Sequence, residues 1–179
     1  MSLTDGVIAL REPVAADEDA LFAACQDEEL REFAPSVPSP YTREDARAFV
    51  ALAAEERASG RGFHFVVAPA DDESQLLGTV AVTQVSRELG TGSCGYWIAR
   101  DRRGLGLASR ALGLLVAYAE DDLGLLHLRL WTDVRNVASQ RVAEKAGFVV
   151  ASHEPRMVRG ALRDTVRFTL PPRRLRDRG

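Results

Sequence analysis

Arg103-Gly104-Leu105-Gly106-Leu107-Ala108 lies between Tyr96-Trp97-Ile98-Ala99, which reads as the end of a strand, and Ser109 to Glu120, which reads as a helix. The two glycines therefore stand where a strand turns into a helix. A helix begins with backbone N–H groups that lack intrahelical partners and with the positive end of its dipole. Glycine lets a ligand approach that bare backbone. Together these make an anion site, most naturally for phosphate. A P-loop would need Gly-Lys-Ser/Thr, and no lysine is present in this stretch. A dinucleotide fingerprint would need a third glycine where Ser109 stands. What remains is Arg-x-x-Gly-x-Ala, from Arg103 through Gly106 to Ala108. Taken alone, this motif leaves a ligand-free glycine turn equally open.

Outward from the loop, the pattern of apolar residues orders the rest of the chain. Towards the N-terminus, Cys94 to Ile98, Leu76 to Val85 and Phe63 to Ala68 read as strands, the last two joined as a hairpin by the acidic turn 69–74. Thr42 to Ala58 reads as a helix, with Thr42 as its cap and Asp45 three residues on. Pro35, Pro38 and Pro40 stiffen the segment before it. Asp17 to Leu30 reads as one helix with Leu21, Phe22, Cys25 and Leu30 inward, and Val7 to Leu10 as a first strand. Towards the C-terminus, His127 to Thr132 is a strand and Ala138 to Lys145 a short helix closed by Gly147. Phe148 to Ala151 and Val166 to Leu170 frame a last pair of strands around a polar turn at Gly160. The order is that of an α+β protein: a mostly antiparallel sheet with one strand-helix-strand unit across its middle.

Composition bounds the partners. The 179 residues suit one domain, read as 1–172, followed by a basic tail at 173–179. Hydrophobic residues at 46% and charged residues at 27% are ordinary for a globular chain. No run is long enough to cross a bilayer and the start lacks a basic, apolar leader, so a cytoplasmic location is expected. Cys25 and Cys94 make neither a disulfide framework nor a metal motif. The net charge of −3 is unevenly spread, with acids at Asp17-Glu18-Asp19 and Asp27-Glu28-Glu29 and arginines at the end. An acidic front would suit a cationic acceptor, although solvated helix faces explain most of these charges. The arginine tail has no aromatic platform beside it, so nucleic acid is not expected as a partner.

Five stretches carry a family resemblance. They are Pro40-Tyr41-Thr42-Arg43-Glu44-Asp45-Ala46, Leu77-Gly78-Thr79, Gly95-Tyr96-Trp97-Ile98, Arg103 to Ala108, and Asn136-x-x-Ser139-x-Arg141-Val142-x-Glu144-Lys145-x-Gly147-Phe148. In this order, and over nearly the whole length, the chain resembles the GNAT superfamily of N-acetyltransferases, of the RimJ/RimL type. The resemblance implies the GNAT fold, with a mixed, mostly antiparallel seven-stranded sheet, about four helices and a splayed central pair of strands. It implies acetyl-CoA as acyl donor, a primary amine as acceptor, no metal, no membrane and, as in similar proteins, a homodimer. The amine is that of a protein or peptide N-terminus or of a small molecule. Carried over by residue, Trp97, Ile98 and Ala99 line the gap that holds the pantetheine arm. Arg103, Gly104, Leu105, Gly106, Leu107 and Ala108 meet the pyrophosphate. Asn136 contacts the arm, and Ser139 protonates the leaving thiolate.

The residues add a reading of their own. Asn136 is a good helix cap. Ser139 shares a helix face with Val142, Ala143 and Ala146, which must pack inward. A hydroxyl on that face needs a partner, which a ligand-facing site would supply. One departure is plain. Many relatives carry Glu two residues before the Gly-Tyr pair, and this chain has Ser93. Glu88, acting through water, and His127 are the residues in view as general base, and neither is singled out. The missing carboxylate leaves a second reading, a non-catalytic CoA-binding sensor or interaction module, against which Asn136 and Ser139 weigh.

Overall fold

The structure, a computed structural model, describes residues 3–173. Eight strands form one sheet in the order β1-β2-β3-β4-β5-β6-β8-β7. They are β1 (Leu3–Thr4), β2 (Ile8–Arg11), β3 (Phe63–Pro69), β4 (Gly78–Ser86), β5 (Thr91–Ile98), β6 (His127–Asp133), β7 (Val149–Val158) and β8 (Ala161–Thr169). Five α-helices accompany them: α1 (Glu18–Ala24), α2 (Glu28–Phe33), α3 (Arg43–Ser59), α4 (Leu107–Asp121) and α5 (Val137–Lys145). All neighbouring strands are antiparallel except β5 and β6, which flank α4 and run parallel. A parallel pair needs a crossover, and α4 is that crossover.

Local chemistry explains the helix ends. Thr42 and Asp45 bond each other's backbone N–H groups in a capping box, and Gly60 closes α3 in the left-handed region at φ 70°. The expected single helix over 17–30 is instead two. The Asp27 carboxylate accepts from Leu30 N–H, so it starts a new helix that runs on to Phe33. The sheet has one strand beyond the seven expected, because β1 is two residues long and has no readable periodicity. The last hairpin is also longer than its apolar residues suggest. Its outer part, from Pro155 to Asp164, mixes polar and apolar residues and pairs β7 with β8 beyond the register of β6.

Each face of the sheet packs on helices. On one, α4 brings Leu112 and Leu115 against Phe65, Leu128, Leu130 and Phe168, all buried. Each such side chain removed from water stabilises the fold by about 1.5–3 kcal/mol. On the other, Leu21, Cys25, Leu30, Val37, Tyr41 and Ala46 join α1, α2, α3 and the proline segment, with Trp97 packed against them.

The feature that positions the site is a split in the sheet. β5 and β6 pair only at Thr91–His127, Gly92–Leu128 and Ser93–Arg129. Beyond Ser93, β5 keeps its ladder with β4, and β6 turns away to pair with β8. A wedge therefore opens between Cys94–Ile98 and Leu130–Asp133. Gly78 holds one wall of this wedge tight. A Cβ there would lie 2.2 Å from the Trp97 carbonyl oxygen and 2.9 Å from Ile98 Cα. Gly78→Ala is expected to cost roughly 1–3 kcal/mol and lower the melting temperature by about 3–10 °C. An unchanged melting temperature in differential scanning calorimetry would contradict this close approach.

Candidate active site

The glycine turn stands at the open end of the wedge. Gly104 and Gly106 adopt φ of 79° and 76°, and a Cβ at either would meet nothing within 4 Å. These angles suit glycine, and the open space lets a ligand reach the backbone. Gly106 is the residue before α4 and offers no side-chain cap. The amides from Gly104 to Ala108 find no partner among the described residues. Such amides at a helix start are aimed and unsatisfied donors for an anion.

The expected strand residues line the wedge as follows. Ile98 and Ala99 are buried, and Ala99 N–H bonds the Leu77 carbonyl at 2.8 Å. Trp97 turns its side chain to the helices α1–α3 and gives the wedge its backbone. Arg103 is held by partners within the protein. Its guanidinium donates to the Ile98 carbonyl at 3.0 Å, to Glu29 at 3.0 Å and to Asp27 at 2.5 Å. It ties the end of β5 to the start of α2.

Arg135 makes the matching tie on the other wall. It follows β6, donates to Glu32 at 2.8 Å and lies 5.4 Å from the centre of the Phe33 ring. Arg159, at the tip of the last hairpin, donates to the carbonyls of Arg31, Ala34 and Val37. So α2 spans the mouth of the wedge, held by arginines from three separate loops. Asp19 is likewise taken up by Arg43, and Asp17 by Arg11 at 2.6 Å. The acidic front is thus largely neutralised from within, and these carboxylates are not an open lure for a cationic acceptor.

Opposite the glycine turn, α5 brings Ser139 to the wedge. Asn136 caps this helix, its Oδ1 accepting from Ser139 N–H at 3.0 Å. The Ser139 hydroxyl lies 2.8 Å from the hydroxyl of Tyr96, which also donates to the Ser139 carbonyl at 3.2 Å. Tyr96 is therefore part of the site and joins the residues expected there. The inward serine has the partner that its face required, and that partner comes from the β5 wall of the wedge. Burial pushes the Tyr96 phenol up to about 12, partly offset by the bond to Ser139, so it stays protonated at neutral pH. Burial also pushes both thiols, Cys25 and Cys94, up to about 12, which leaves little thiolate for chemistry.

The general-base candidates fall elsewhere. His127 pairs with Thr91 at the closed end of the wedge, and Glu88 lies in the turn beyond it. The carboxylates on the β6 and β7 wall are Asp133 and Glu154. Donors from Arg135 hold Asp133 below the ordinary carboxylate range, and the Trp131 N–H does the same for Glu154. Neither was visible from motif spacing. No group of His, Cys, Asp and Glu among the described residues is arranged to hold a metal ion.

The site thus combines a wedge in a mixed sheet, bare amides at the following helix and a capped Asn-x-x-Ser turn opposite them. The family pattern described as "Acetyltransferase (GNAT) domain" matches residues 8–149. The chain belongs to the GNAT acetyltransferase family. GNAT acetyltransferases use acetyl-CoA as donor, and the GNAT fold expected above is the fold observed. Among curated proteins, the chain is 35% identical over 109 residues to "Probable N-acetyltransferase YjcK" of Bacillus subtilis (strain 168). That match spans 60% of this chain and 60% of the relative. Among solved structures, RimL, the ribosomal L7/L12 alpha-N-protein acetyltransferase in complex with coenzyme A, superposes with a TM-score of 0.84 at 16% identity, covering 96% of this chain and 98% of that one. Spermidine N-acetyltransferase from Vibrio cholerae, in complex with CoA and spermine, gives 0.78 at 20% identity, covering 93% and 96%. At these identities the two structures speak for the fold.

Proposed function

We propose that this GNAT chain transfers the acetyl group of acetyl-CoA to a primary amine by direct attack on the thioester. The observation that carries this is the wedge, with unsatisfied amides at one end and the Tyr96–Ser139 pair on its flank. The amides from Gly104 to Ala108 take the pyrophosphate, with Arg103 fixing the loop from behind. The stretch Trp97, Ile98 and Ala99 lines the pantetheine arm, and Asn136 meets it from α5. The thioester then lies between β5 and Ser139.

Attack by a neutral amine builds negative charge on the carbonyl oxygen. A backbone N–H on the open edge of β5 stabilises that charge. Ser139, held by Tyr96, gives its proton to the departing thiolate. The ammonium proton of the acceptor passes to water. Glu154 and Asp133 stay ionised and Tyr96 stays protonated around neutrality, so these groups add no inflection there. The pH profile of kcat/KM is therefore expected to follow the acceptor. It shifts upward by about 2 units from a peptide α-amine to a lysine-type amine, as their pKa values differ. Profiles that coincide for both amines would point to a protein base instead.

The acceptor is read as a protein or peptide N-terminus or a small-molecule amine. Residues 1–172 are read as one catalytic domain, supported by a sheet that runs from Leu3 to Thr169. The basic tail beyond Arg173 lies outside the described residues. A cytoplasmic location is part of the same reading, and no described helix is long and apolar enough to cross a membrane. So is a homodimer, supported by the edge strand β7 and the exposed Val149, Val150, Met157 and Leu162 on its hairpin. Light scattering on the purified protein at micromolar concentration distinguishes 19.5 kDa from twice that mass.

The direct test is incubation with acetyl-CoA, a panel of amines and a thiol reagent. Amine-dependent release of CoA is expected. CoA bound without turnover on any amine would leave a binding module.

A further inference from the structure

The face of the wedge opposite α4 and α5 carries a surplus of guanidinium groups. Along β6, Leu128, Leu130 and Thr132 are buried toward the helices, and Arg129, Trp131 and Asp133 alternate onto the other face. Register then sets Arg167 beside Trp131, and Arg163 beside Arg156. The Arg129 and Arg156 guanidinium groups lie 5.1 and 4.3 Å from the centre of the Trp131 ring. Arg129 stands at the vertex of the wedge, paired to Ser93, and donates across β5 to Gln84 at 2.8 Å. Its Nε is buried with no hydrogen-bond partner.

The two acids on this face, Asp133 and Glu154, offset only part of the charge of Arg129, Arg135, Arg156, Arg163 and Arg167. Asp133 accepts from Arg135 at 2.8 and 3.0 Å. Glu154 accepts from the Trp131 N–H at 3.0 Å and from Ser152 at 3.3 Å, and pairs with Arg167 at 4.0 Å. Arg156 and Arg163 sense Glu154 and Asp133 only through space, with no direct hydrogen bond to either acid. A polycation entering here would meet like charge. A carboxylate would meet forked donors beside an aromatic platform, which suits it.

We infer that the acceptor carries a carboxylate close to its reactive amine, and that Arg156 and Arg163, with the Arg129–Trp131 stack, hold that carboxylate as the amine enters the wedge. This rests on the acetyltransferase reading above and narrows its substrate class. The carboxylate belongs to a peptide whose first residues are acidic or to a small amino acid, and the experiment separates these sources.

Initial rates are measured with acetyl-CoA and four acceptors: a peptide beginning Ser-Glu-Glu, its counterpart beginning Ser-Lys-Lys, free glutamate and spermidine. Charge-assisted hydrogen bonds predict that the carboxylate-bearing acceptors win by roughly 10–100-fold in kcat/KM, carried mainly by KM. Added salt narrows the gap. Arg156→Gln and Arg163→Gln, both on the hairpin surface, shrink it about tenfold each. The acidic peptide outpacing glutamate assigns a peptide source, and the reverse a small molecule. Equal rates for the two peptides, or faster turnover of spermidine, overturn the inference and leave the acetyltransferase reading standing. If no amine turns over, calorimetry of the acidic peptide against CoA-loaded protein decides, and absence of binding overturns the inference. Failure of the protein to bind CoA at all would instead bring down the reading beneath it.

Discussion

Ser139→Ala is expected to lower kcat by about two to four orders of magnitude, the range for loss of a positioned proton donor. The departing thiolate would then have to draw its proton from water that the wedge walls restrict. The KM for acetyl-CoA should stay within a few-fold, because Ser139 meets charge that appears only as the thioester breaks. Tyr96→Phe provides the internal check. It removes the hydroxyl 2.8 Å from Ser139 Oγ and leaves the ring in the core. Its effect on kcat should be about tenfold, near the worth of one hydrogen bond that orients a neighbour. Combining the two changes should cost no more than Ser139→Ala alone, since Tyr96 acts through that serine. Steady-state kinetics on the three variants reads all of this. A kcat for Ser139→Ala within threefold of the parent protein would remove Ser139 from the chemistry.

Gly106→Val carries the second large effect, on affinity for the donor. Gly106 holds φ at 76°, where a β-branched residue is strained by roughly 1–2 kcal/mol. The turn then relaxes, and the amides from Gly104 to Ala108 lose their common aim. Each charge-assisted bond to a phosphate is worth about 1.5–3 kcal/mol, so even partial loss amounts to roughly a hundredfold in Kd. Saturating acetyl-CoA should restore most of kcat, because Tyr96 and Ser139 lie apart from the turn. Coenzyme A at about 100 times its Kd stabilises a folded protein by roughly 2.7 kcal/mol. The parent protein should show the corresponding rise in melting temperature and the variant almost none at the same concentration. An equal rise in both would mean that the glycine turn is not where the phosphates bind.

The residues disclosed the site unevenly, for physical reasons. The glycine turn, the Asn136 cap and the strand-helix-strand unit are local, written in contiguous residues with defined backbone needs, and all were readable. The split of the first helix was not, because Asp27 is equally at home on a helix surface and at a cap. The ties made by Arg103 were hidden for a related reason. Its partners Asp27 and Glu29 lie more than seventy residues away, and nothing near Arg103 announces them. Tyr96 and Ser139 are 43 residues apart, and only the packing of α5 on the β5 wall joins them. The arginine face is the extreme case. Trp131, Arg156 and Arg167 meet through the pairing of β6, β8 and β7, over a hairpin whose irregular mix of polar and apolar residues hid its length.

At the root of the account is coenzyme A seated on unpaired backbone donors at the start of α4. Isothermal titration calorimetry of the purified chain with coenzyme A tests this most directly. The account predicts saturable binding of one coenzyme A per chain that weakens as salt rises, as phosphate contacts require. Absence of heat with the folded protein at millimolar coenzyme A, or affinity indifferent to salt, would contradict it.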